Sequence, residues 1–316
     1  MPVEMPQYIA LLDFGSNAVR FVHARLSRGG VRILDVSRVR ARLASGDRGA
    51  LNSESIEQCL RAAARFLKRV EPSEPRVLAV ATASVRDAPN ARALVDRLPA
   101  LGVSELRILS GIEEAQLGAE AALRAWPLRT GAIIDLGGGS LQWSTIRAGR
   151  AKHQRSLPLG AARLTREYIR HDPPSERDLE RLREHVREQL ADGLPGKRAR
   201  GHLLALGGTA RALARKRFRR GLGSDRPKKR RAATLSLAEL VSLRVRLQNM
   251  SLEERKRLRG MRPERADILV AGALVLEQVM AQSGYDELTV CNASVREGVL
   301  WREAGLVMGH LEGCYE

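Results

Sequence analysis

A chain of 316 residues is long enough for two domains, and 54 basic against 36 acidic residues leave a net charge of +18, which attracts polyanions. Three widely spaced cysteines, Cys59, Cys291 and Cys314, argue against a disulfide framework or a zinc site. The N-terminus lacks the basic and apolar regions of a signal peptide, and no apolar run approaches bilayer length, so a cytoplasmic protein with no membrane partner is expected.

Taken in chain order, the apolar run Ile9 to Leu12 reads as a buried strand ending at Asp13 and turning through Phe14-Gly15-Ser16-Asn17. Alternating residues predict strands over 18–26 and 31–39, as in a meander. Ile56, Cys59, Leu60, Ala63, Phe66, Leu67 and Val70 recur at three- and four-residue steps, so a helix is expected over 53–70, stopped by Pro72 and Pro75. A strand over 76–82, a helix around 88–98 and a strand over 105–109 follow. Ser110-Gly111 then opens a helix with Glu113 and Glu114 in its first turn.

The second half repeats that order. Strands are expected at 131–136, 140–147 and 151–157, helices at 160–171 and 175–191, and a strand at 201–206 entering a helix from Gly208. Helices over 236–249 and 264–283, a strand over 286–291 and a helix over 294–304 complete it. The expected domains are 1–122 with 296–316, carrying one half, and 123–295, carrying the other. Residues 215–231 interrupt the pattern with a basic segment of almost no apolar content, read either as a polyanion contact or as a solvated connector.

Only seven of the basic residues are lysine, but exchanging lysine for arginine does not create a charge surplus, so the excess still calls for a polyanionic partner. Nucleic acid is disfavoured, because aromatics make up 3% of residues and stacking platforms need more. The six histidines show no metal-ligand spacing.

The chemistry-bearing signal is a repeated turn. Asp13-Phe14-Gly15-Ser16 and Asp135-Leu136-Gly137-Gly138-Gly139-Ser140 each end an apolar strand in a carboxylate and continue in glycine, where backbone N–H groups can face an anion that a Cβ would hold away. Leu206-Gly207-Gly208-Thr209 adds a third strand-to-helix turn, with a helix N-terminus suited to phosphate.

At this point the chain resembles the exopolyphosphatase and guanosine pentaphosphate phosphohydrolase family nearly end to end. The residues that carry the resemblance are Asp13 to Arg20, Ala81 to Asn90, Ser110 to Ala115, Asp135 to Ser140, Leu157 to Thr165, Gly207 to Ala210, Arg265-Ala266-Asp267 and Arg296-Glu297-Gly298. The resemblance implies an α/β fold of duplicated ribonuclease H-like domains, as in the actin-like ATPase superfamily of sugar kinases, heat-shock proteins and actin, with a cleft between the domains.

It also implies Mg²⁺-dependent hydrolysis of a terminal phosphoanhydride, in inorganic polyphosphate or in guanosine pentaphosphate. The amides of Gly15, Ser16, Asn17, Gly137, Gly138, Gly139 and Ser140 are then expected to cradle phosphoryl oxygens, with Arg20, Arg86, Gly208, Thr209 and Arg265 adding donors. Glu114 is the expected base for the attacking water, with Glu113 as the alternative. Asp135, Asp13 and Gln142 are the expected metal ligands.

Three departures stand out. Ala18 replaces the usual serine of the first loop, and Leu141-Gln142 stand where the family continues with threonine and glutamate. They keep open a second reading, a binder of polyphosphate or an alarmone with impaired catalysis. A sugar kinase is a third, disfavoured by the short chain and by a glutamate at the helix start. A homodimer is considered as the assembly.

Overall fold

The computed structural model describes residues 7–27, 30–43, 46, 49–194, 200–215 and 233–305. The basic segment 215–231 beyond Arg215, together with His310 and Cys314, lies outside the described residues. Backbone contacts divide the chain into two compact units, Met1–Ala121 with Val295–Glu316, and Ala122–Ser294.

In the first unit β1 (Gln7–Phe14), β2 (Ala18–Ser27) and β3 (Gly30–Arg40) form an antiparallel meander, and β4 (Arg76–Ala81) and β5 (Glu105–Ile108) extend it in parallel, giving the order β3-β2-β1-β4-β5. The central strand β1 is covered on both faces, which is why its sequence is continuously apolar rather than alternating. On one face Leu12, Phe14, Val19 and Phe21 pack against Ile56, Cys59, Ala63 and Phe66 of α1 (Ser53–Val70). Asn52 starts α1 by accepting the Ser55 N–H at 3.0 Å.

After β4 come two single-turn helices, α2 (Ala83–Arg86) and α3 (Arg92–Val95). The longer helix expected over 88–98 does not form, because Pro89 and Pro99 bracket the segment and the Asn90 amide is engaged by the Leu51 backbone at 2.7 and 3.0 Å. Helix α4 (Gly111–Ala125) follows β5.

The second unit opens with β6 (Thr130–Leu136), β7 (Leu141–Arg147) and β8 (Arg150–Leu157), again an antiparallel meander. Helices α5 (Ala161–Tyr168) and α6 (Glu176–Gly193) precede β9 (His202–Leu206) and α7 (Gly208–Leu213). Then come β10 (Ala233–Ser236), α8 (Leu237–Gln248), α9 (Leu252–Arg257), α10 (Leu269–Ser283) and β11 (Glu287–Val290). The sheet order is β10-β11-β9-β6-β7-β8. Read from the meander inward, this is the order of the first unit with one antiparallel strand, β10, added at the edge.

Helix α10 is buried on nearly every side, so its sequence from Leu269 to Met280 shows little amphipathic stripe. It begins later than the expected 264, because Pro263–Arg265 forms a separate 3₁₀ turn. The short α9 carries a capping box between Ser251 and Glu254, a local signal that periodicity alone overlooks.

The last helix, α11 (Val295–Glu303), belongs to the first unit and supports its second face. Val299 and Leu300 join Ile9, Leu11, Val22, Leu78, Val80 and Leu117 there. Gly298 lets α11 approach α4 closely, since a Cβ would overlap the Leu117 backbone. Arg302 clasps Glu120 with two bonds of 2.9 and 2.7 Å, and Glu303 takes Arg107 at 2.6 Å as well as Arg76. Among the described residues no helix is long and apolar enough to cross a membrane.

Candidate active site

Parallel strands direct their loops to one edge of a sheet, and in open α/β folds ligands collect outside the carboxyl ends. In the first unit β1, β4 and β5 end together, which brings Asp13–Asn17, Thr82–Arg86 and Leu109–Glu114 to one edge. The Gly15 N–H closes the first turn onto the Ala18 carbonyl at 3.2 Å, so the amides of Ser16 and Asn17 sit outside the strand ladder. The Asn17 carbonyl accepts the N–H groups of Ala41 and Arg42, both at 3.2 Å, which fixes the turn from behind. A Cβ on Gly15 would stand 3.1 Å from Arg20 Nη1, so glycine makes room for that guanidinium.

The two glutamates at the start of α4 have different partners. Glu113 is exposed and forms a capping box: its carboxylate accepts the Ser110 N–H at 2.7 Å while Ser110 Oγ accepts the Glu113 N–H at 3.2 Å. The bond from the Ser110 backbone, with its hydroxyl second, holds the Glu113 carboxyl below the usual glutamate range. Glu114 is only 6% exposed, and its Oε1 accepts from Arg86 Nη1 at 2.7 Å. The same Nη1 donates to the Leu109 carbonyl at 2.7 Å, and Arg86 Nε reaches Asp87 at 3.1 Å. Arg86 thus holds the buried carboxylate against the end of β5.

Asp13, one of the expected metal ligands, is held by two guanidiniums. Its Oδ2 accepts both Arg20 at 3.2 Å and Arg296 at 3.1 Å. The residue pattern alone overlooked Arg296 as a site member, although the Arg296-Glu297-Gly298 motif marks its place. Cys59, the buried thiol of α1, is pushed up to about 12 by its burial, which leaves it unreactive.

The second unit builds the same turn. The Gly137 N–H closes onto the Ser140 carbonyl at 3.0 Å, matching the Gly15–Ala18 bond. Here the brace is α5: Ala161 N–H donates to Gly137 at 3.0 Å, and Ala162 and Arg163 donate to Gly138 at 3.0 and 2.9 Å. With the carbonyls of Gly137 and Gly138 bound to α5, the amides of Gly138, Gly139 and Ser140 lie outside both ladder and brace. Gly160 allows this seat, because a Cβ there would overlap the backbone of Gly138, Gly139 and Ser140.

Asp135, near the end of β6, lies beside the third turn. Gly207 has φ of +93°, and a Cβ on it would stand 2.9 Å from Asp135 Oδ1. The guanidinium of Arg265 rests on Gly208, where any side chain would collide with it, and buried Thr209 packs against Gly272 of α10. Asp135, the glycine turn, Gly208, Thr209 and Arg265 therefore gather within one unit.

Strand register places two of the three departures. Leu141 lies opposite Leu136 and is fully buried in the hydrophobic core. Gln142 lies opposite Asp135 on the other face, and its Nε2 donates to Ser140 Oγ at 2.7 Å and Ser156 Oγ at 3.3 Å. Among the described residues no group of three His, Cys, Asp or Glu side chains forms a metal cluster.

Two mixed sheets of repeated order, each ending in a glycine turn after an aspartate, define a protein of the actin-like ATPase fold. The Ppx/GppA phosphatase family matches residues 24–306, and the chain belongs to that family. It is 31% identical over 306 residues to "Exopolyphosphatase 1" of Mycobacterium leprae, covering 93% of this chain and 89% of that protein. A crystal structure of the Aquifex aeolicus family member is 25% identical, with a TM-score of 0.76 over 94% of this chain and 97% of that one. An exopolyphosphatase structure from Cytophaga hutchinsonii shares the fold, with a TM-score of 0.81 at 24% identity over 95% and 99% of the two chains.

Proposed function

We propose that this phosphatase is an exopolyphosphatase, releasing orthophosphate from the end of inorganic polyphosphate. The observation that carries the reading is the buried Glu114 carboxylate fixed by Arg86 at the carboxyl edge of the first sheet. The names of the mycobacterial relatives, 30 and 31% identical, favour polyphosphate, and so does the charge of +18. Guanosine pentaphosphate ranks second, because no feature of the chain identifies a guanine site.

In this reading the water oxygen bonds to the terminal phosphorus as the bridging P–O bond breaks, and the shortened chain leaves with that electron pair. Glu114 orients the water and takes its proton. Arg86 holds Glu114 in place. The Ser16 and Asn17 amides and Arg20 hold non-bridging oxygens in the first unit, and the amides of 138–140, Thr209 and Arg265 do so in the second.

The family implies magnesium. Mg²⁺ keeps several waters and uses one or two carboxylates plus substrate oxygens, so a three-carboxylate cluster is not required. Asp135, in the gap that Gly207 leaves, fits that requirement and is the residue we assign to hold it; Gln142 Oε1 is the neutral second donor. When bound, the ion neutralises charge on the phosphoryl oxygens. Asp13, shared by two guanidiniums, serves as their anchor.

Orthophosphate release from polyphosphate, guanosine pentaphosphate and ATP, measured in parallel with Mg²⁺, tests the reading. Release from polyphosphate above the other two supports it, and no release from any contradicts it. One observation, the neutral Gln142 opposite Asp135, favours a polyphosphate binder without turnover; that reading requires equilibrium binding with no release, unaffected by Glu114→Gln.

A further inference from the structure

The two ends of the second unit's meander differ sharply in charge. From Ala125 to Arg166 the chain has a single acid, Asp135, and it stands at the carboxyl edge beside the glycine turns. The opposite edge, where β6 and β9 begin, carries the β7–β8 hairpin, and the charged residues that the meander places there are all basic.

Arg147 and Arg150 flank a two-residue turn in which Ala148 and Gly149 have φ of +50° and +73°. Two successive positive φ values make a type I′ turn, which sets its flanking residues directly opposite each other. Arg147 and Arg150 are therefore a facing pair, and like charges so placed repel. The Gly149 N–H donates to the Arg129 carbonyl at 3.0 Å, which pins a third arginine to the same tip. All three are exposed, as is Lys152 two residues further along β8.

Among the described residues none of these four cations is joined to an acid. The acids where β11 starts, Asp286 and Glu287, lie beyond β6 and β9, three strands from β7 and roughly 14 Å away. Helix α6 reaches β8 through Gly193 at Leu157, the far end of that strand. The hairpin thus holds a close group of cations that the fold leaves facing solvent.

We propose that this tip, formed by Arg129, Arg147, Arg150 and Lys152, is a second anion site that binds condensed phosphate chains at the opposite end of β6 from the glycine turns. Closely spaced guanidiniums suit a chain with a charge on every phosphate. Residues 144–154 contain no Phe, Tyr or Trp on which a base could stack, which favours condensed phosphate over nucleic acid. The seven residues of β6 separate the two ends by about 20 Å, so a long chain can engage both and tripolyphosphate cannot. The proposal takes its ligand from the exopolyphosphatase reading, but its binding arm stands apart from turnover.

The test compares the full-length protein with Arg147→Gln/Arg150→Gln, with Arg147→Glu, and with Arg177→Gln/Arg181→Gln, which removes equal charge from exposed positions of α6. Arg147→Glu gives Arg150 an acid directly opposite, so it supplies a folded tip variant even if the double change disturbs the hairpin. Binding of long-chain polyphosphate is measured by calorimetry across a salt series in EDTA, and orthophosphate release with Mg²⁺ is measured on tripolyphosphate and on the long chain. Either tip variant is expected to weaken long-chain binding roughly tenfold and to lower the slope of log affinity against log salt by about one to two, with the α6 variant close to the parent. KM for the long chain should rise by a similar factor, while kcat and KM for tripolyphosphate stay within about twofold. Tip variants that bind the long chain like the parent, or an α6 variant that loses as much, would overturn the proposal. Tighter tip-dependent binding of a single-stranded oligonucleotide than of polyphosphate of equal length would assign the surface to nucleic acid and overturn it as well. If the parent binds polyphosphate without releasing orthophosphate, the exopolyphosphatase reading fails, and the salt slope still decides the tip site.

Discussion

Arg86 Nη1 stands 2.7 Å from Glu114 Oε1 and 2.7 Å from the Leu109 carbonyl oxygen, so a single nitrogen ties a buried carboxylate to the end of the strand that precedes it. The neighbouring Glu113 closes the helix terminus instead. Adjacent residues of one type are thereby divided between two partners, Arg86 for Glu114 and the Ser110 cap for Glu113.

Glu114→Gln keeps the shape of the side chain and removes its basicity. We expect kcat on polyphosphate to fall on the order of 10²- to 10⁴-fold with little change in melting temperature. Glu113→Gln should instead lower stability by about 1 kcal/mol and retain most of kcat. Thermal melts beside orthophosphate assays separate the two, and a larger kcat loss in Glu113→Gln would reverse the assignment.

Arg86→Lys preserves charge but not the planar fork that serves Leu109, Glu114 and Asp87 together. A kcat loss of roughly tenfold or more is expected, from the misplacement of Glu114. Full activity in Arg86→Lys would show that charge alone suffices.

Gln142→Glu places a carboxylate directly opposite Asp135. Without metal the two charges repel, so the melting temperature in EDTA should fall; with Mg²⁺ both can serve the ion, so it should recover and half-maximal activity should require less Mg²⁺. A melting temperature insensitive to Mg²⁺ in both proteins would argue against metal at Asp135.

Asp178 caps α6 and accepts the backbone N–H groups of Arg170, His171 and Ser175, with His171 Nδ1 at 2.9 Å. Burial alone would raise its pKa, but the His171 bond and the three amides outweigh that and hold it at about 2, below the ordinary 3.8. A depressed carboxylate stabilises the fold fully above its unfolded value, and the contribution disappears as pH falls from about 4 through 2. Asp178→Asn should therefore melt lower near neutrality and lose less stability than the parent between pH 4 and 2.

Much of this was legible from residues alone. The Asp13 and Asp135 turns were readable because a buried strand ending in carboxylate and glycine leaves a local signature, and α1 because its stripe is unbroken. What was not legible depended on partners far apart in sequence. Glu113 and Glu114 look alike in the sequence, and only the folded chain gives one the Ser110 cap and the other Arg86. That Leu141 packs into the core follows from strand register, which its place after the glycine turn does not reveal. That Asp13 is also bound by Arg296 could not be read locally, because α11 delivers that arginine from some 280 residues later.

The most direct test is orthophosphate release from long-chain polyphosphate with Mg²⁺ by the parent protein and by Glu114→Gln side by side. Steady release by the parent, and a rate at least about 10²-fold lower in the variant, is the predicted result. A parent that releases nothing, or a variant as fast as the parent, would contradict the account.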